Sequence, residues 1–175
     1  MMNLYEILSS IPDKRSSHGK RYELALILSI VLFATISGYV GARAIDDFVK
    51  KNKSRLRKYF SLERKSLPAR KTIFTAIKLL DFNDLIEAFS LWCNKYVEIS
   101  DDEWLSVDGK AISGTITNQY DKYQNFVSMV SIFFQKQKQV LTSKNLFNKK
   151  ESELKSFEDI LDDLHLDKKA IFTLY

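Results

Sequence analysis

Asp108 is the residue of this chain best placed to do chemistry. It lies in Glu103-Trp104-Leu105-Ser106-Val107-Asp108-Gly109-Lys110, which reads as a short strand, Trp104 to Val107, ending in a carboxylate. Side chains alternate across a strand, so Leu105 and Val107 face one way and Ser106 and Asp108 the other. Gly109 then allows a sharp turn or the close approach of a ligand. A carboxylate at such a strand end can hold a hard cation such as Mg²⁺, which takes one or two carboxylates together with phosphate oxygens. The same residues also make an ordinary strand-ending Asp-Gly turn.

The second chemical feature is a run of cations. Between Lys50 and Lys71 stand Lys50, Lys51, Lys53, Arg55, Arg57, Lys58, Arg64, Lys65, Arg70 and Lys71, against the single acid Glu63. A charge run is usually a solvated face. This imbalance, in a chain with 22 acidic residues and a net charge of +5, favours a polyanion such as nucleic acid. Lys14 to Arg21 forms a basic loop in which Arg15, Lys20 and Arg21 are either solvated or in contact with phosphate. Lys110, beside the carboxylate, joins the same set.

Composition narrows the class. An apolar fraction of 45% supports a packed core. One cysteine, Cys93, and two histidines give neither an internal disulfide nor a zinc site, and fit a reducing cytoplasm. Leu24 to Ala42 is uncharged for 19 residues, but Gly38 and Gly41 mark a helix end, so a buried helix is expected and no membrane span. Met1 to Ser10 lacks the basic start of a signal peptide, and a cytoplasmic location is expected.

These residues need elements to position them. Apolar spacing predicts helices over Asn3 to Ser10, Tyr22 to Ser37, Ala42 to Tyr59, Ala69 to Leu80 and Leu85 to Val97, with Asn83 as the cap of the last. The last pair has the outline of a helix-turn-helix. Phe82, Phe89, Trp92 and Tyr96, at helical spacing, are expected in the core. Glu98 to Glu103 is an acidic hinge. Beyond the Asp108 strand, Ile112 to Lys122 reads as a polar loop. Gln124 to Phe134 reads as a strand buried on both faces, Gln135 to Gln139 as a hairpin and Gln139 to Phe147 as a third strand. Glu151 to Leu164 follows as an amphipathic helix and Ala170 to Leu174 as a fourth strand. The expectation is therefore α+β. An all-helical DNA-binding domain, residues 1–98, precedes the first half of an α/β domain, residues 103–175. Strand-strand-strand-helix-strand with a terminal acid resembles the opening of a ribonuclease-H-like domain, in which the first and fourth strands lie side by side.

Taken together, the blocks resemble the DDE transposases of bacterial insertion sequences, in their H-repeat-associated group. Ile11-Pro12-Asp13-Lys14-Arg15 with His18-Gly19-Lys20-Arg21-Tyr22 is similar to the family's opening block, and Ala44-Ile45-Asp46-Asp47-Phe48 to its next helix. Pro68-Ala69-Arg70-Lys71-Thr72-Ile73-Phe74 and Asn148-Lys149-Lys150-Glu151-Ser152-Glu153 match further blocks. Val107-Asp108-Gly109-Lys110 is similar to the first catalytic block, with Ser113 where the family commonly has Arg. The resemblance implies metal-dependent phosphoryl transfer on double-stranded DNA at transposon ends. Three carboxylates would hold two Mg²⁺ ions, with Asp108 as the first catalytic and metal-binding residue. Tyr175 stands where the second Asp is expected, so the resemblance implies a truncated, catalytically incomplete chain. Homodimerisation or association with the intact transposase is implied as well. A stand-alone DNA-binding fragment or an inhibitor of the intact transposase is the alternative, and a small membrane-associated protein a more distant one.

Overall fold

The computed structural model describes residues 3–63, 65–93, 102–117, 125–136, 138–147, 158, 160–161 and 170–174. The chain divides into two compact units, Met1–Ala88 and Phe89–Tyr175. Its described residues form six α-helices and a four-stranded mixed sheet, an α+β architecture.

The helical unit is built around its most apolar segment. Helix α1 (Leu4–Ser9) opens with a capping box: the Asn3 side chain accepts from the Glu6 N–H at 3.0 Å, and the Glu6 carboxylate accepts from the Asn3 N–H at 2.7 Å. Helix α2 (Leu24–Ile36) has no polar side over its first turns, and every residue from Leu24 to Ile30 is buried. A helix apolar all round belongs inside a core. It stops at Gly38, whose φ of +84° is the left-handed conformation glycine adopts freely. There the Tyr39 N–H reaches the Ala34 carbonyl at 2.9 Å and the Gly38 N–H reaches that of Thr35 at 3.0 Å. Among the described residues no helix is long and apolar enough to cross a membrane.

The single helix expected over Ala42 to Tyr59 is two, α3 (Ala42–Lys51) and α4 (Lys53–Tyr59). Asn52 separates them. Its backbone N–H and its side-chain amide both donate to the Phe48 carbonyl, at 2.9 and 3.0 Å. Asparagine side chains compete with the backbone in this way, which interrupts a helix. Ile45, Phe48, Val49 and Leu56 are buried, and Ala44, at the same inward spacing, is half-buried. Helix α5 (Arg70–Leu79) buries Ile73 and Ala76. Helix α6 (Phe82–Cys93) starts three residues before the expected Leu85, because Asp81 and not Asn83 receives the first-turn amide: the Asn83 N–H donates to Asp81 Oδ1 at 3.0 Å. Phe82 therefore sits in an exposed first turn and not in the core. Phe89 and Trp92 are half-buried and meet edge to face, while Tyr96 lies outside the described residues.

The sheet comprises β1 (Glu103–Thr117), β2 (Asn125–Phe134), β3 (Gln139–Phe147) and β4 (Ala170–Leu174), in the order β3-β2-β1-β4. β1 runs antiparallel to β2 and β2 to β3, while β4 is parallel to β1. The expected strand end at Asp108-Gly109 is corrected. Asp108 pairs with Ser131 and Gly109 with Val130, in the middle of a 15-residue strand. Glycine weakens a strand but does not end one whose backbone groups are taken up by a continuous antiparallel neighbour. Residues 112–117 of the expected loop belong to β1, and 118–122 lie outside the described residues.

β2 is not equally buried on its two faces. Val130, Ile132 and Phe134 are buried, whereas Val127, Met129 and Phe133 are half-buried. The buried face packs with Leu105, Val107, Leu141 and Ile160 into one cluster. Glu158, Ile160 and Leu161 are helical, and the remainder of the helix expected over Glu151 to Leu164 lies outside the described residues, as do Arg64 and Tyr175.

Candidate functional site

β1 presents Asp108 on the face away from the buried cluster. Leu105 and Val107, almost fully buried, fix the other face inward, so Ser106, Asp108 and Lys110 share the outer one. Asp108 is exposed. Its cross-strand partner is Ser131, whose hydroxyl lies 2.9 Å from that of Ser143 on β3. Two residues back, Ser106 accepts from the Gln135 amide and from Thr173 Oγ1 on β4, the latter at 3.4 Å. The carboxylate thus stands among small hydroxyl side chains, flanked by the half-buried Phe133 and Met129. Among the described residues the last β1–β4 pair is Val107 with Leu174, and Asp108 is the next residue of β1.

An exposed carboxylate with small hydroxyl neighbours offers oxygen ligands to a hard cation without crowding it. Among the described residues, however, no three His, Cys, Asp or Glu side chains cluster. Asp108 alone is an incomplete donor set, and a divalent ion there would draw its remaining oxygens from elsewhere.

The helical unit distributes the expected phosphate-binding cations unevenly. Arg15 is corrected: it is 5% exposed and structural. Its guanidinium reaches both carboxylate oxygens of Asp13, at 2.9 and 2.7 Å, and donates to the Tyr22 carbonyl at 2.7 Å. The hydrogen-bonded Arg15 holds the Asp13 carboxyl below its usual range. Lys14 bonds to Asp81 at 2.8 Å and lies 3.5 Å from Asp84, and Lys50 pairs with Asp46 at 2.6 Å. Hydrogen bonding to these carboxylates raises both lysines. Lys20, Arg21, Lys51, Lys53, Arg55, Lys58, Lys65, Arg70 and Lys71 are exposed, Arg57 is half-buried, and Lys110 is exposed on the sheet unit.

The fold brings two of the basic segments to one place. A cleft of about 640 Å³ lies between the Arg15–Tyr22 segment and α5, with Arg21 and Lys71 on its two sides. Ser66, Thr72 and Thr75 line it too, and none of these three was singled out from the sequence. Thr72 and Thr75 lie three apart on α5, a same-face spacing that was legible. The partner facing them across the cleft was not.

A family model described as DDE_Tnp_1-associated matches residues 5–93, from the first helix to the last residue of α6. The chain belongs to this family. Three curated relatives from Escherichia coli align along nearly the whole chain. "Putative transposase YncI" of strain K12 is 27% identical over 171 residues, covering 98% of this chain and 67% of that protein. Its namesake in O157:H7 is 28% identical, with 43% of its length covered. "H repeat-associated putative transposase YhhI" of strain K12 is 26% identical over 175 residues, which is 99% of this chain and 45% of the relative. The chain thus spans less than half the length of the latter two. The DDE_Tnp_1-associated match ends where α6 ends, while these alignments continue through the Asp108 strand.

Proposed function

We propose that this chain is part of a DDE-type transposase, in which the helical unit binds double-stranded DNA at transposon ends and the sheet unit carries the first catalytic carboxylate. The observation that supports the catalytic half is the setting of Asp108. A ribonuclease-H-like sheet has three antiparallel strands with a fourth parallel to the first, and Asp108 follows directly on Val107, the last β1 residue paired with β4 among the described residues. The DNA-binding half rests on the exposed cations of the helical unit and on the family membership.

Asp108 would hold Mg²⁺, which when bound activates the attacking hydroxyl and stabilises the leaving oxygen of an in-line phosphoryl transfer. The chain's own contribution is positional. Burial of Leu105 and Val107 fixes the strand, and the polar neighbours Ser106 and Ser131 keep the carboxylate's surroundings open. Asp108 would be one of the three carboxylates that this chemistry uses.

The test is addition of Mn²⁺ as a paramagnetic probe to the isotope-labelled chain. Millimolar Mn²⁺ should broaden the amide signals of Val107 to Lys110 and of Ser131, and Asp108→Asn should abolish the effect. Broadening that survives the substitution, or that never reaches these residues, would remove Asp108 as a metal ligand.

A further inference from the structure

The cleft of the helical unit differs in composition from the rest of that surface. Its lining contains Arg15, Arg21, Lys71 and His18 and five hydroxyl side chains, with no aspartate or glutamate. Two other clefts of the unit are unlike it: one is lined by Tyr5, Phe33, Tyr59 and Phe60 without a charged group, and another mixes Lys20 with Asp13 and Glu23. The exposed Arg21 and Lys71 together with hydroxyl donors match the chemistry of a phosphate oxyanion, while Arg15 is already bonded to the Asp13 carboxylate.

The cleft is also built to keep its shape. Tyr22 Oη lies 2.9 Å from Ser66 Oγ, tying the basic segment to the approach of α5. Arg15, bonded to Asp13 and to the Tyr22 carbonyl, anchors the same segment from beneath. The exposed Arg21 and Lys71 are thereby held on opposite sides of a volume within the range of small-ligand sites, roughly 300–1,000 Å³. Neither cation is on α3 or α4, so the densest part of the basic run is not what lines this cleft.

We infer that the cleft between the Arg15–Tyr22 segment and α5 seats the phosphodiester backbone of one DNA strand. Arg21 and Lys71 supply charge, and Ser66, Thr72 and Thr75 donate hydrogen bonds to the phosphate oxygens. The inference rests on the DNA-binding reading and adds where the strand lies. It gives the hydroxyls a role that a diffuse basic surface would not.

The experiment measures duplex binding by the whole chain across a salt series, with thermal melts to establish that each variant folds. Arg21→Ala with Lys71→Ala should weaken binding and flatten the dependence of log affinity on log salt by about two. Thr72→Val with Thr75→Val leaves the charge unchanged, so it should weaken binding about tenfold with the salt slope preserved. If wild type binds DNA and both cleft variants bind equally well, the inference is overturned while the DNA-binding reading stands. If wild type shows no salt-dependent binding, both fall. A titration with inorganic phosphate distinguishes the phosphate source. Amide shifts at Thr72 and Thr75 with phosphate, in a chain whose DNA binding ignores both variants, would make this a small-anion site and overturn the inference.

Discussion

The two units treat their most conspicuous charge in opposite ways. In the helical unit, Arg15 is buried, ion-paired to Asp13 and bonded to a backbone carbonyl, so its charge maintains a loop. In the sheet unit, Asp108 stands exposed on the outer face of a strand whose inner face is sealed. Both looked like candidate ligand-binding groups from residue type and neighbours. The difference teaches that burial decides whether a charge serves the fold or remains free to meet a ligand.

Substitutions can break this comparison, beginning with the surface that exposes Asp108. Phe134 is fully buried in the sheet cluster, so Phe134→Ala should cost about 4 kcal/mol and disturb the strand bearing Asp108. Urea unfolding followed by the signal of Trp104 would measure it. Arg15→Met leaves Asp13 without its cation and the Tyr22 carbonyl without its donor, and should cost about 3 kcal/mol. Asp108→Asn, by contrast, should change stability by less than about 0.5 kcal/mol, because surface substitutions away from packing or paired charges do little. Equal losses from Arg15→Met and Asp108→Asn would dissolve the contrast.

Two smaller effects sharpen it. Gly38→Ala meets no atom within 4 Å, yet must hold φ near +84°, so it should cost about 1 kcal/mol from backbone strain alone. A chemical melt with a helical readout would detect it. Acid titration isolates the Arg15–Asp13 pair. The folded-state Asp13 carboxyl lies below its ordinary 3.8, so the pair's contribution is fully present above that pH and fades as pH falls through the lowered value. An unfolding series below pH 4 should show this loss in wild type, and Arg15→Met should remove that share of the acid dependence.

Much of the fold was legible. The buried spacing of Leu24 to Ile30 and the alternation of Val130, Ile132 and Phe134 placed the main helix and the central strand. What escaped depended on partners distant in sequence. Gly109 reads as a turn until β2 is known to pair through it. Asn52 is an ordinary polar residue until its side chain is seen on the Phe48 carbonyl. Asp108 was identifiable from its own strand, whereas Ser131, Ser143 and Thr173 depend on register, which one strand's sequence does not carry. Arg15 was misjudged for the same reason, since the depth of a loop is set by what folds over it.

The most direct test of the account is the affinity of the whole chain for duplex DNA carrying insertion-sequence ends, and for a scrambled duplex, from low to physiological salt. The account predicts tighter binding to the ends, with affinity for both duplexes falling steeply as salt rises, as counterion release by several exposed cations requires. Affinity that is absent, or that does not change with salt, would contradict it.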